Sequence, residues 1–381
     1  MSGPADFPIY LDHHSTTPCD PRVLEKMLPF FSERFGNPAA VTHAQGRQAS
    51  TALEEARSVV ADFIRARPTE IYFTSGATEA NNIAIRGVAV RQPGHVITTA
   101  IEHKSVLAPV EQLAGIEVTR LRPDPEGFVS AEQVREALRP ETFLVSVIAA
   151  NGEIGTIQPL QEIASVCREH GVVFHTDATQ AIGRIPFDVN AIGCDLASMS
   201  AHKVYGPKGI GALYVRKGVR ISPLVVGGGQ ERNLRSGTVN LPGVIGLAEA
   251  LKYRSDEMAG EAARLTALRN LMWDRVTGEI ELASVNGPRG LRLPGNLNFS
   301  FARVDSEALM MSMRRFSLSS GSACSAGEKD PSYVLRAIGV PEDLAMSSIR
   351  VGLGRMNTEE QVNQFVDDLQ VSVSRLREIS V

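Results

Sequence analysis

The chain has 381 residues, with 43 acidic and 39 basic side chains and a formal net charge of −4. This near balance predicts no basic surface for nucleic acid or for a membrane, and no stretch approaches the roughly 18 apolar residues of a membrane span. The length predicts about two domains, and an N-terminus without a signal-like pattern predicts a cytoplasmic protein.

From about Glu70 to Val215, short apolar β-branched runs alternate with helical patterns. The strand-like runs, in chain order, are IYFTSG, HVITTA, FLVSVIAA, VVFHTDAT and LASMS. This alternation is typical of βαβ units, so it predicts an α/β fold with a mainly parallel sheet flanked by helices. Ligands bind such sheets at the loops that follow the strands.

After Leu241 the pattern changes. Long polar helices run to about Val276 and are followed by NLNFSF, a helix near Ser306 to Arg314, FSLSSGS, SSIRVGL and a final helix from Thr358. This order predicts a smaller α+β domain. We therefore expect a large domain over residues 15–259 and a small domain over residues 260–381 together with residues 1–14.

Four cysteines lie far apart along the chain: Cys19, Cys167, Cys194 and Cys324. Without a CxxC pair they indicate neither a disulfide framework nor a closed zinc site, and we expect no metal. A functional cysteine in this chain therefore acts through its thiol. Cys324 lies in SLSSGSACSAGEKD, whose small residues predict a mobile loop.

The stretch TSGATEANN, from Thr74 to Asn82, follows a strand and begins a helix. The N–H groups around Ala77 and Thr78 face outward at the positive end of that helix, where anions bind. An ordinary helix cap explains the same residues. The stretch is not a P-loop, because GxxxxGK[ST] is missing.

Asp177 ends the strand-like run VVFHTDATQ, where apolar neighbours normally exclude a carboxylate. A buried aspartate is costly unless it is paired, and the protonated ring nitrogen of a cofactor is one suitable partner. The alternative is that Asp177 caps the following turn.

The run LASMS places Ser200, His202 and Lys203 where a strand ends. Lys208 lies in a turn between proline and glycine, which is the ordinary position of a solvated lysine. A lysine at a sheet edge, beside an anion site and a buried aspartate, suits a Schiff base with pyridoxal phosphate. Lys203 is the better candidate for that lysine.

Ordered stretches from Ile9 to Arg355 carry a resemblance to a known family: YLDHHSTTP, FGNPAAVTH, FTSGATEANN, IEHKSVL, HTDATQAIG, SAHKVYGPKGIGALYVR, GGGQERNLRSGT, SSGSACSAG and SSIRVGLGR. Together they resemble the cysteine desulfurases of the NifS and IscS type, in the class V aminotransferase group. The resemblance implies a pyridoxal 5'-phosphate enzyme of fold type I. It also implies conversion of L-cysteine to L-alanine, with the sulfur carried as a persulfide and delivered to iron–sulfur cluster assembly or another acceptor pathway.

By this resemblance, Lys203 carries the cofactor and moves the substrate's Cα proton, and Asp177 keeps the ring nitrogen protonated. Gln180 forms a hydrogen bond with the ring hydroxyl. His103 stacks on the ring and assists proton transfer; without the family, a lone histidine here reads as a core or cap residue.

The resemblance also assigns the cofactor phosphate to the turn at Ala77 and Thr78, with Ser200 and His202. Thr238 of RSGT completes the phosphate site of the second subunit, so a homodimer is implied.

Three further residues are assigned to the substrate. Arg350 binds its carboxylate, Asn151 lies beside it, and Cys324 is the nucleophile that takes the sulfur. A sulfur acceptor or iron–sulfur scaffold protein is the implied partner. The cysteine motif favours the NifS and IscS group over the SufS group.

The chain departs from the family at Gly152, where a second asparagine is usual, and in its shorter C-terminal tail, which leaves the sulfur acceptor open. The missing amide predicts weaker substrate anchoring, unless Asn151 turns inward. A Gly152→Asn substitution is then expected to lower KM for L-cysteine.

Two other functions remain open from sequence alone. The first is a selenocysteine lyase or a cysteine β-lyase on the same scaffold. The second is a non-catalytic sulfur carrier or scaffold protein.

Overall fold

The computed structural model describes residues 8–89, 94–320 and 330–379. In chain order, the strands of these ranges are β1 (Ile9–Tyr10), β2 (Ile71–Thr74), β3 (His95–Thr99), β4 (Glu117–Leu121), β5 (Thr142–Ser146), β6 (Val173–Asp177), β7 (Leu196–Ser200), β8 (Gly211–Val215), β9 (Ala283–Val285), β10 (Asn296–Phe301), β11 (Phe316–Ser317) and β12 (Ser348–Gly352).

The α-helices of the same ranges are α1 (Pro21–Met27), α2 (Pro29–Ser32), α3 (Ala44–Phe63), α4 (Ala77–Ala89), α5 (Lys104–Glu111), α6 (Ala131–Ala137), α7 (Leu160–Glu169), α8 (Val189–Ile192), α9 (Leu241–Glu279), α10 (Ser306–Ser312), α11 (Tyr333–Ala337), α12 (Glu342–Met346) and α13 (Glu359–Ile379). A 3-10 turn, Ala201–Lys203, follows β7 directly. No helix of the described residues is long and apolar enough to cross a membrane.

Within the described residues, the large sheet has seven strands in the order β2-β8-β7-β6-β5-β3-β4. Of these seven described strands, only β8 is antiparallel to its neighbours, so the predicted mainly parallel sheet is confirmed. Strand β4 was not among the strands predicted from the sequence. It lies at the sheet edge, where Glu117 and Arg120 are exposed, and these charged residues interrupt the apolar pattern seen in the inner strands.

The parallel strands β2, β3, β5, β6 and β7 all end at one edge of this sheet. The segments that follow them contain the motifs singled out in the sequence. Strand direction alone therefore gathers residues that lie more than a hundred positions apart in the chain.

Two hydrophobic cores flank the long helix α9. Its first half, including Leu247 and Leu251, packs with the large sheet and α3. Its second half, including Met272 and Val276, packs with α13 and the three-stranded sheet β12-β10-β9. Because one helix serves both cores, the proposed domain boundary near residue 260 falls inside α9 and stays a prediction.

A buried ion pair supports the loop that leads to Thr238. Both Nη atoms of Arg57, on α3, donate to the carboxylate of Glu231 at 2.8 Å, and the Phe73 backbone N–H donates to the same carboxylate at 2.7 Å. The two charged side chains are 3% and 2% exposed. Glu231, Arg232 and Asn233 have positive φ angles of 47°, 53° and 67°, a conformation that side chains rarely adopt. The pair thus stabilises a strained turn.

We expect Glu231→Ala to destabilise the protein by about 3–5 kcal/mol, because it leaves the Arg57 guanidinium buried without its partner. The matched control is Glu54→Ala, which removes an exposed carboxylate from the same arginine and is expected to cost about 0.2–1 kcal/mol. Urea unfolding of both variants measures the difference. Equal losses in the free energy of unfolding of the two variants would contradict a stabilising role for the buried Arg57–Glu231 pair.

Candidate active site

A cavity of about 610 Å³ opens where the parallel strands end. It is lined by most of the residues predicted from sequence, namely Ala77, Thr78, His103, Asn151, Asp177, Gln180, Ser200, His202, Lys203 and Arg350. Thr238 is exposed and is not among the lining residues. Cys324 lies outside the described residues.

Asp177 ends β6 and is 3% exposed. Its Oδ1 accepts a hydrogen bond from the Thr179 backbone N–H at 3.0 Å, and its Oδ2 accepts one from Asn81 Nδ2 at 2.8 Å. The cap-like bond considered as the alternative is therefore present. Yet the carboxylate lines the cavity, and no cationic side chain of the described ranges forms an ion pair with it. A protonated ring nitrogen would supply the missing charge.

A hydrogen-bonded chain connects Asp177 with His103. Asn81 Nδ2, which bonds Asp177, also donates to Ser105 Oγ at 2.8 Å, and Ser105 Oγ lies 2.7 Å from His103 Nδ1. The Ser105 backbone N–H donates to the same Nδ1 at 3.1 Å. Because Nδ1 accepts, the neutral ring carries its proton on Nε2.

Sequence reasoning missed Asn81 and Ser105. The available signal was weak, because Asn81 is one of two asparagines in TEANN and Ser105 reads as part of an ordinary helix start. His103 does cap α5, and it lines the cavity as well.

Lys203 lies in the 3-10 turn directly after β7, as the sequence predicted. Its Nζ donates to the backbone carbonyls of His14 and Ser15, each at 2.6 Å. Lys208 also lines the cavity, but it is exposed and precedes Gly209, whose φ is +83°. The two lysines therefore share the cavity, and only Lys203 is tied to its wall by the bonds described.

The predicted anion site is assembled by close backbone packing. A Cβ on Gly211 would lie 2.4 Å from the Met199 carbonyl oxygen and 2.7 Å from Gly76 Cα, so glycine is needed where β8 passes the turn before α4. That packing brings the first turn of α4 beside Ser200 at the end of β7.

His202 contributes to this end of the cavity as a neutral group. Burial, together with the charges of Lys203 and Lys208, lowers the pKa of His202 to about 4. Its Nδ1 lies 3.1 Å from Thr16 Oγ1. At neutral pH the ring therefore offers hydrogen bonds and no charge.

Arg350 lies on β12 at another wall of the cavity, and its side chain is 7% exposed. Its Nη2 bonds Asp12 Oδ1 at 2.7 Å, while its buried Nε has no hydrogen-bond partner in the described part of the chain. A guanidinium held on one side and open on another suits a carboxylate ligand. Asp12 was not foreseen from sequence.

The side chain of Asn151 forms hydrogen bonds to its own turn and to the backbone at Ile101. Its Oδ1 accepts from the backbone N–H groups of Glu153 and Ile154 at 2.8 and 3.0 Å, and its Nδ2 donates to the Ile101 carbonyl at 2.9 Å. An inward turn of Asn151 to replace the missing asparagine is therefore not the arrangement found here.

The space beside Gly152 is filled by Gln180. A Cβ on Gly152 would lie 2.6 Å from Gln180 Nε2 and 3.2 Å from its Cγ. Gln180 Nε2 in turn donates to the His14 carbonyl at 2.9 Å. The glycine therefore allows Gln180 to cross a position that a side chain would occupy.

This contact reverses the expected result for Gly152→Asn. The new side chain must displace Gln180 from its bond to His14, so we expect KM for L-cysteine to rise and cofactor retention to weaken. A lost hydrogen bond of about 0.5–1.5 kcal/mol corresponds to roughly 2- to 13-fold. Steady-state kinetics and cofactor absorbance test this, with Gly152→Ala as the smaller step. A lower KM with full cofactor would support the original expectation.

Two buried acids also line the cavity and were missed from sequence: Glu102 and Glu153. Glu102 Oε1 accepts from Thr99 Oγ1 at 2.8 Å and from the Ile148 backbone N–H at 2.7 Å. Burial raises the pKa of Glu102 to about 8 and the pKa of Glu153 to about 6. Glu102 is therefore largely a neutral carboxylic acid at pH 7.

The raised pKa of Glu102 predicts a pH-dependent stability. Between its ordinary pKa of 4.5 and about 8, the folded state holds one proton more than the unfolded state. The free energy of unfolding therefore falls as pH rises in this window, by about 1.4 kcal/mol per pH unit.

We expect Glu102→Gln, which imitates the neutral acid, to match the parent near pH 5 and to be more stable at pH 8. Thermal unfolding at both pH values measures this, and Glu307→Gln, on an exposed helix position, is the charge-matched control. If Glu102→Gln shows the same pH slope as the parent, Glu102 is ionised in the folded state.

Comparison with known proteins identifies the family to which the chain belongs. The class-V aminotransferase family model matches residues 9–365. The chain belongs to the class-V aminotransferase family.

Its relatives include proteins named cysteine desulfurase IscS. That of Anaeromyxobacter dehalogenans (strain 2CP-C) is 51% identical over 380 residues, covering 98% of this chain and 94% of that protein. That of Rickettsia africae (strain ESF-5) is 47% identical, covering 98% and 93%. A solved NifS-like protein superposes with a TM-score of 0.90 at 37% identity, covering 97% of this chain and 100% of that one. The predicted membership of the NifS and IscS type of cysteine desulfurases, with fold type I, is confirmed.

Proposed function

We propose that this chain is a pyridoxal-phosphate-dependent cysteine desulfurase that converts L-cysteine to L-alanine and takes the sulfur onto Cys324. The observation that carries the proposal is one cavity that brings together Lys203, the buried Asp177, the helix N-terminus at Thr78, and Arg350. These groups match the aldehyde, ring nitrogen and phosphate of the cofactor and the carboxylate of an amino acid.

The cavity suits the cofactor at each of its polar ends. Asp177 would offer a buried carboxylate to the ring nitrogen, and Ser200, His202 and the first turn of α4 would hold the phosphate. Gln180, which lies across Gly152, would form a hydrogen bond with the ring hydroxyl. When bound, pyridoxal phosphate supplies an electron sink for the substrate's α-carbon.

The protein's own residues orient the substrate and move its proton. Arg350, held by Asp12, binds the substrate carboxylate and so fixes the α-carbon relative to Lys203. Lys203 Nζ takes the Cα proton. His103, held through Ser105 with its proton on Nε2, would stack on the cofactor ring and assist this transfer.

The sulfur transfer balances without an external oxidant. The Cys324 thiolate forms an S–S bond to the substrate sulfur while the C–S bond breaks. The electron pair of the C–S bond stays with the carbon skeleton, which takes up a proton and leaves as alanine. The enzyme retains a Cys324 persulfide, which passes to a sulfur acceptor in the cytoplasm.

A second subunit completes the site in this proposal. Thr238 lies exposed at the end of the loop supported by the Arg57–Glu231 pair and is not among the residues that line its own cavity. Large apolar side chains are exposed on α2 and near this loop, including Phe31 at 62% and Val226 at 80%. Such surface favours a protein interface, so we place Thr238 in the phosphate site of the partner in a homodimer.

The direct test uses purified enzyme loaded with cofactor, L-cysteine and a reductant. We expect alanine and sulfide in equal amounts and, without reductant, a gain of one sulfur atom in the peptide that contains Cys324. Pyruvate and ammonia in place of alanine would show a β-lyase. Turnover of L-selenocysteine but not of L-cysteine would show a selenocysteine lyase, and no turnover of either would support the carrier.

A further inference from the structure

A second cavity, which we call the basic groove, encloses about 450 Å³ on the opposite edge of the large sheet. Its lining includes residues before β2 and residues after β8, and these are the strand ends that face away from the active site. The cationic residues that line it are Arg65, Arg67, Arg168, Arg216 and Lys217. The reaction described above uses none of them.

Most of the positive charge of the basic groove is not neutralised by acidic side chains. One acidic residue, Glu70, is among the lining residues. Its two carboxylate oxygens accept hydrogen bonds from the backbone N–H groups of Arg67 and Lys217, at 3.0 and 2.8 Å. Its carboxylate is therefore bonded to main chain, and no cationic side chain of the described ranges forms an ion pair with it.

Arg216 is the exception, because its Nε lies 3.6 Å from Asp195 Oδ1. Arg65, Arg67, Arg168 and Lys217 form no ion pair with any residue in the part of the chain that the structure describes. All four are exposed. Four unpaired cations around one groove repel each other, in a chain whose net charge is −4.

The backbone around the groove is shaped to hold these side chains. Arg65 has a φ of +62°, a left-handed conformation that is costly for a residue with a side chain, and Asn190 Nδ2 donates to its carbonyl. Gly193 has a φ of +83°, and a Cβ there would lie 2.1 Å from Arg168 Nη2. The glycine leaves room for the Arg168 guanidinium at the groove.

We propose that the basic groove binds a small polyanion that carries two or more phosphate groups. Guanidinium groups bind phosphate oxygens through paired hydrogen bonds, and several such groups around one groove suit a chain of phosphates better than a single carboxylate. The volume lies within the range of small-molecule sites, roughly 300–1,000 Å³. A nucleotide and an inorganic polyphosphate present the same chemistry to these residues.

Isothermal titration of the cofactor-loaded enzyme at low salt tests the proposal, with sodium tripolyphosphate and ATP as separate probes. The loaded enzyme is used so that the cofactor's own phosphate site is filled. We expect saturable binding of one equivalent per chain. Arg67→Gln combined with Arg168→Gln should weaken it at least about tenfold, since each substitution removes a charged hydrogen-bond donor.

Arg122→Gln combined with Arg314→Gln removes the same charge from exposed positions elsewhere and should leave binding unchanged. Equal binding of both probes assigns recognition to the phosphate chain, and preference for ATP adds a contact to the nucleoside; both results support the proposal. It is overturned if neither probe binds saturably, or if the groove and control variants bind alike. Binding of poly-glutamate alone would also overturn it and would indicate a surface for an acidic protein.

Discussion

We expect Lys203→Ala to yield a protein without covalently held cofactor, so that borohydride reduction no longer fixes pyridoxal phosphate to the chain. We expect turnover of L-cysteine to fall by at least about 10²–10⁴-fold, since the same Nζ is the group proposed to take the substrate's Cα proton. Absorption spectra, mass spectrometry after reduction and alanine release measure the three losses.

Lys208→Ala is the matched control, because Lys208 lines the same cavity from an exposed turn. We expect it to keep the reducible cofactor and most of the activity. If the Lys203 variant keeps the reducible cofactor, or the Lys208 variant loses it, Lys203 is not the lysine that attaches the cofactor.

Cys324→Ser separates the two halves of the proposed reaction. We expect the variant to bind cofactor and L-cysteine as the parent does, because the cavity residues are unchanged, but to form no persulfide and to release no alanine above background. Two measurements test this: sulfide release in the presence of reductant, and mass spectrometry of the peptide that contains residue 324, which should gain no sulfur atom.

Cys19→Ser is the control for this prediction, since Cys19 is a partly buried cysteine that is not among the residues lining the cavity. It should desulfurate cysteine at the parental rate. If Cys324→Ser also works at that rate with reductant present, another thiol or the reductant itself accepts the sulfur.

The sequence predicted the architecture well where one strand or one turn carries its own signal. The apolar runs ending at Asp177 and Ser200 are buried strands, and Lys203 follows the second of them as expected. Strand β4 was missed because an edge strand with exposed charges lacks that signal.

The partners of the site residues were not predictable in the same way. Asn81, Ser105 and Asp12 are ordinary polar residues in the sequence, and each acquires its role from a contact with another segment. The structure also changes the expected consequence of Gly152, because the side chain that fills its space, Gln180, belongs to a different strand's loop.

The sequence by itself determined the family, the fold class and the principal cavity residues, because periodicity and motif order are local properties of the chain. Tertiary structure decided the environment of those residues: the neutral state of Glu102, the proton position on His103, and the gathering of unpaired cations in the basic groove. These depend on burial and on distances between segments far apart in the chain, and burial and through-space distance exist only once the chain has folded.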